Sequence, residues 1–255
     1  MAPEPTHLLG CGVFVIDLIV LQAAKELAGY PATFIIDPIW VVQPVLGLLA
    51  PFVVVFLHNR YDAVLEEIDI EARTSNSDQF ASVAPYSLRV SFYLILTGYA
   101  LWKFLFDVGL GTITEIGGIA ELIGVAVVLP LGYGIILSEF LATYIGIMLL
   151  FPRRIKRSDF RLNFLDPESL GGLRPAGELM KSTYYFLVFG LIGYLVILYG
   201  PSIVTPLTGS PYPDPGLIVN ILFTVVWLIS IATMVYGLSQ VHWFMKRTKR
   251  GTEPT

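Results

Sequence analysis

The sequence predicts an all-α integral membrane protein: a single-domain helical bundle of about six transmembrane helices, with both termini in the cytoplasm. Three observations predict it. Apolar residues fill 55% of the 255 positions and charged residues only 14%, where soluble domains carry about 25% charge. The mean hydropathy is +0.71, and several apolar runs reach the roughly 20 residues that a helix needs to cross hydrocarbon. The basic residues gather in alternate polar segments, as the positive-inside rule requires of a multi-pass chain. Long unbroken runs also argue against a β-barrel, whose strands are short and alternate.

Taken in order, span one covers about 8–28. Met1 to His7 holds no Lys or Arg and Asp17 interrupts the run, so the segment reads as a retained span rather than a cleaved leader. Span two covers about 38–57 and opens on Asp37-Pro38, a helix-start pair: the carboxylate accepts from free amides and proline tolerates the first helical position. Pro44 and Pro51 predict kinks within it. Between 58 and 89 the chain is polar. Val64, Leu65, Ile68 and Ile70 alternate there with acids, which suggests a short amphipathic helix at the membrane surface.

Span three covers about 90–110. In it Lys103 and Asp107 stand four apart and would neutralise each other. The next apolar run, 119–151, is charged only at Glu121 and Glu139. One straight helix of that length would measure about 50 Å against a core of roughly 30 Å. It is either a tilted, kinked helix or a pair broken at Leu129-Pro-Leu-Gly-Tyr-Gly134, and both satisfy the sequence. Span five covers about 184–199. A proline-rich turn ending in Asp214-Pro215 leads to span six, about 216–244.

Topology follows from the charges. With the N-terminus inside, the cytoplasmic segments 58–89, 153–182 and 246–255 hold every basic residue except Lys25 and Lys103. The reverse orientation would expose all of them outside. Trp102 and Trp243 fall near the two interfaces, where aromatic anchors belong.

Ionisable residues within spans are functional candidates, because a mid-bilayer charge costs at least about 2.5 kcal/mol. Asp17, Glu121 and Glu139 are the candidates for an ion or solute path. In a continuous helix Glu121 and Glu139 are about five turns apart and share a face. The structural alternative is that each is protonated or bonded to a neighbour as packing glue. Two dense basic clusters, Arg153, Arg154, Lys156 and Arg157, and Lys246, Arg247, Lys249 and Arg250, are candidates for anionic lipid head groups, beyond the charge that the positive-inside rule already explains. His7, His58 and His242 show no metal-ligand spacing, so neither metal nor cofactor is expected. No G-x-S-x-G, Walker or HExxH motif recommends an enzyme. Nothing in the net charge of −4 calls for nucleic acid.

The run Asp166-Pro-Glu-Ser-Leu-Gly-Gly-Leu-Arg-Pro-Ala-Gly-Glu-Leu179 resembles a segment that precedes a late span in uncharacterised archaeal and bacterial polytopic membrane proteins. Gln240-Val-His242 followed by lysines is similar to the ends of such proteins. The resemblance implies a prokaryotic plasma-membrane protein and brings no activity with it. Physically, Asp166-Pro167 starts a helical turn, Gly171-Gly172 stops it, and Pro175 begins the helix into span five.

Two functional classes stand. One is a non-catalytic membrane sensor or scaffold that recruits partners or lipids at its cytoplasmic face. The other is a channel or transporter that uses the intramembrane carboxylates; no inverted repeat supports it. Ala120, Gly124, Ala142 and Gly146 offer close helix contacts, including contacts between copies of the chain.

Overall fold

The computed structural model describes residues 6–36, 38–160, 173–208 and 217–251, and every regular element among them is helical. Six long helices follow in order: α1 (His7–Leu27) and α2 (Pro38–Glu67), α3 (Tyr86–Trp102), α4 (Leu110–Arg157), α5 (Arg174–Thr208) and α6 (Leu217–Gly251). By length and composition α1, α2, α4 and the Arg174–Gly200 part of α5 can each cross a membrane, while α6 contributes a shorter apolar stretch, Thr224–Gln240. The chain is therefore a helical protein of membrane type. α3, which carries Arg89, is not among these four. Outward-facing Leu94, Ile95, Ile119 and Leu228 are all more than half exposed, as suits a chain solvated by hydrocarbon.

The helices run past their expected ends. α2 does not stop at Leu57 but continues to Glu67, and Val54, Leu57, Tyr61 and Val64 form its buried stripe, with Ile68 buried just beyond it. The amphipathic surface helix expected after span two is thus the end of this same helix, and its apolar face packs on protein. The long run 119–151 is one helical stretch. Its backbone break lies earlier, at Gly117 (φ −154°, ψ 15°) and Gly118 (φ 59°, ψ −146°). Leu129–Gly134 does not break; Pro130 sits within a π-helical segment, Gly124–Gly134. A wider helical turn accommodates a residue that lacks an N–H and crowds the preceding carbonyl. Asp37, Asp214-Pro215 and the first half of the 166–179 motif lie outside the described residues, as does the side chain of Asp107.

Contacts divide the chain into two compact units. The first joins Met1–Val55, Ser87–Leu141 and Phe189–Asn220. Within it α1 runs antiparallel to α2, with His7 stacked on Phe52 and Gly10 against the ring of Pro51. It also runs antiparallel to α4: Val13 meets Gly132, Leu21 meets Gly124, and Lys25 meets Gly117. α3 is antiparallel to α4, pairing Arg89 with Glu139 and Thr97 with Gly134. α5 is antiparallel to α2, through Gly193 with Leu46 and Gly200 with Ile39. A small apolar core forms around Val13, Leu21, Val128 and Ile136.

The second unit joins Phe56–Tyr86, Ala142–Val188 and Ile221–Thr255. Its centre is aromatic. Tyr61 and Phe80 both meet Phe151 edge-on, at 5.4 and 6.1 Å between ring centroids, and the Tyr61 hydroxyl donates to the Phe80 carbonyl at 3.0 Å. Gly146 lets Val83 approach its backbone, and Gly237 does the same for Met148. Gly124 and Gly146 therefore serve contacts within the chain. Here α4 and α6 run in the same direction: Tyr144 reaches Ser230, Arg153 reaches Tyr236, and Lys156 reaches Gln240.

Candidate functional site

The polar centre of the first unit is built around α1. Asp17 is buried at 7% exposure and lies in a π-helical segment, Ile16–Val20. The Tyr133 hydroxyl, from the π-helical segment of α4, donates to its Oδ2. π-Bulges displace side chains from the regular helical face, and here two of them bring a carboxylate and a phenol together across neighbouring helices. The Tyr133 ring rests directly on Gly47, where a Cβ would lie 2.5 Å from a ring carbon.

The network continues toward the end of α1. Gln22, 4% exposed, donates from Nε2 to the Asp17 carbonyl at 3.1 Å and accepts from the Thr33 amide at 2.7 Å. Lys25 is 1% exposed, an unusual position for an ammonium unless it is paired. Its Nζ donates to Thr33 Oγ1 at 2.9 Å and to Glu121 Oε2 at 2.8 Å. The Glu121 side chain is a third exposed, so this pair is open on the acid's side.

Gly117 is what admits the lysine. A Cβ there would come 2.7 Å from Lys25 Cε and 2.9 Å from Nζ. Gly118 completes the break with a positive φ of 59°, and the Tyr30 ring lies over it. A residue with a side chain would be strained in that conformation.

Glu139 takes a different partner. Arg89 Nε lies 3.5 Å from its Oε2, and both atoms are buried without forming a hydrogen bond. The carboxylate also borders a small apolar cavity lined by Leu9, Pro51, Val54, Ile135 and Ile136. Glu121 and Glu139, expected on one shared face, are thus each matched to a separate cation. The sequence reading missed Lys25, Tyr133 and Arg89 as partners. Lys25 carried a signal, since a charge left at the apolar end of a span needs a counter-ion.

In the second unit the basic candidates divide. Arg154 turns inward, donating to the Ser82 carbonyl and reaching the Tyr61 hydroxyl at 3.5 Å. Arg153, Lys156 and Arg157 are exposed. The positions of Lys246, Arg247, Lys249 and Arg250 continue α6, and their side chains lie outside the description. Beside this surface Asp159 accepts from Thr74 Oγ1 at 2.6 Å, Ser75 Oγ at 2.8 Å and the Ser75 amide at 3.1 Å. Those donors hold its carboxyl at about 2, below the usual carboxylate range. Among the described residues no group of three or more His, Cys, Asp or Glu is placed to hold a metal ion.

No protein-family model, curated protein or solved structure matches the chain.

Proposed function

We propose that the chain is a six-span protein of the plasma membrane, with both termini inside, acting as a non-catalytic sensor or scaffold that recruits partners or lipids at its cytoplasmic face. The observation that supports this is the pairing of the intramembrane carboxylates. Asp17 is held by Tyr133, Glu121 by Lys25 and Glu139 by Arg89. A path for cations needs carboxylates that face water; here Asp17 and Glu139 turn to partners of the same chain, and Glu121, a third exposed, is tied to Lys25. Support for the topology comes from the helix directions within each unit: neighbours α1 and α2 alternate, as do α3 and α4, while α4 and α6 agree.

Ion and proton flux in proteoliposomes tests the reading, comparing the natural chain with Asp17→Asn and Glu139→Gln. The expected outcome is no flux above empty liposomes in any of the three. Flux in the natural chain that either folded variant loses would replace the scaffold with a transporter. That second reading is favoured by one feature: Asp17 and Tyr133 both lie on π-helical segments, which recur at functional sites.

A further inference from the structure

Four of the cations whose side chains are described sit against carboxylates. Lys25 faces Glu121, Arg60 faces Glu67, Arg89 faces Glu139 and Arg174 faces Glu178. The exposed cations near the end of α4 do not. Arg153 places its guanidinium carbon 5.4 Å from the centroid of the Tyr236 ring. Lys156 Nζ donates to Gln240 Oε1 at 2.9 Å. Arg157 is exposed beside them, and among the described residues none of the three has a carboxylate within ion-pair distance. The nearest acid in sequence, Asp159, spends its oxygens on Thr74 and Ser75. The two cations are thus oriented by neutral partners that leave their charge unspent.

Register makes this a single face. Positions 153, 156 and 157 share one side of α4, since residues three and four apart stand above one another on a helix. Tyr236, Gln240 and Trp243 share one side of α6 by the same spacing. Because the two helices run in the same direction here, the positions of Lys246 to Arg250 follow at the same end as Arg153 to Arg157, whichever way the chain is oriented. Backbone contact at Gly237 holds the helices close at this level.

We propose that this face binds an anionic phospholipid, with the head-group phosphate between Arg153, Lys156 and Arg157. The proposal deepens the recruiting-face reading and rests on it for the face involved. Lipid is favoured over a free anion by what adjoins the cations. Trp243 is 68% exposed and Tyr236 39%, with Leu228, Ile229 and Val235 exposed on the preceding turns of α6. Apolar side chains, then aromatic rings, then basic positions reproduce the order of acyl chain, interface and head group. Arg presents a planar fork to phosphate oxygens, and Lys a point charge.

Native mass spectrometry of the purified full chain tests this, by titration with phosphatidylglycerol, with phosphatidylcholine of the same acyl chains, and with inorganic phosphate. Phosphatidylglycerol alone is expected to give retained adducts. The double variant Arg153→Gln/Lys156→Gln should weaken them roughly ten- to thirty-fold, from the contribution of each basic residue near an anionic surface. Arg153→Lys/Lys156→Arg keeps the charge and should retain most of the binding, which separates lost binding from lost folding. Arg174→Gln/Lys181→Gln removes the same charge elsewhere and should leave the adducts unchanged. Equal weakening by that control, equal adducts with phosphatidylcholine, or equal retention of inorganic phosphate would each overturn the site. A positive flux result would remove the scaffold reading while leaving this measurement intact.

Discussion

Removing the Tyr133 hydroxyl and neutralising Asp17 act on the same hydrogen bond but are not equivalent. Tyr133→Phe keeps the ring on Gly47 and strips a buried carboxylate of its side-chain donor, which should cost about 1–3 kcal/mol. Asp17→Asn removes the charge and keeps an oxygen for the phenol, so the loss should be about 1 kcal/mol or less. Unfolding of both variants in detergent checks the order, and the reverse order would mean that the bond is not what holds Asp17. Lys25 admits a parallel test. Glu121→Gln leaves a buried ammonium uncompensated and should destabilise by about 3 kcal/mol, less in proportion to the exposure of the acid. Adding Lys25→Met should recover most of that loss. Asp159 carries the pH dependence. Its folded value, about 2, lies below the usual value of about 3.9, so its stabilisation is complete above the higher value. It is lost as pH falls toward the lower one. Acid titration of unfolding should therefore show a steeper loss between about pH 4 and 2 in the natural chain than in Asp159→Asn.

At the scale of the element, the break at Gly117-Gly118 matters more than the prolines. Gly118→Ala should destabilise by about 1–2 kcal/mol through its positive φ alone, and the Tyr30 ring 2.9 Å from the added carbon raises that cost. Pro130→Ala, in the π-helical segment, should be far milder; thermal unfolding of the two variants compares them. The elements themselves were legible. Apolar runs point to the long helices to within a few turns, because each run is a local property of the chain. Their ends were not legible. α2 passes Leu57 because Tyr61 finds Phe80 and Phe151, a contact that no local window contains. The break in α4 was sought at Pro130, yet π geometry absorbs a proline, whereas two adjacent glycines beside a buried lysine do not stay helical. Among the site residues, Asp17, Glu121 and Glu139 stand out in sequence as charges in apolar runs. Their partners do not, since Lys25 and Glu121 are separated by 96 positions and Asp17 and Tyr133 by 116.

For the whole molecule, the proposed six-span arrangement predicts a labelling pattern. With Cys11 replaced by Ser, single cysteines at Glu66 and Arg157 should react with an impermeant thiol reagent only after cells are opened. One at Ser210, between α5 and α6 in sequence, should react on intact cells. Labelling of Ser210 and Arg157 from the same side would remove the alternation. The lysine lodged at Gly117 has a consequence on another timescale. Position 117 is empty because the end of the Lys25 side chain fills the volume a Cβ would need, so neither site can drift alone. In descendants of this sequence a side chain at 117 should appear only with a shorter residue at 25, and with Glu121 then free to lose its charge. Two distant stretches of the chain would in that way be inherited as one.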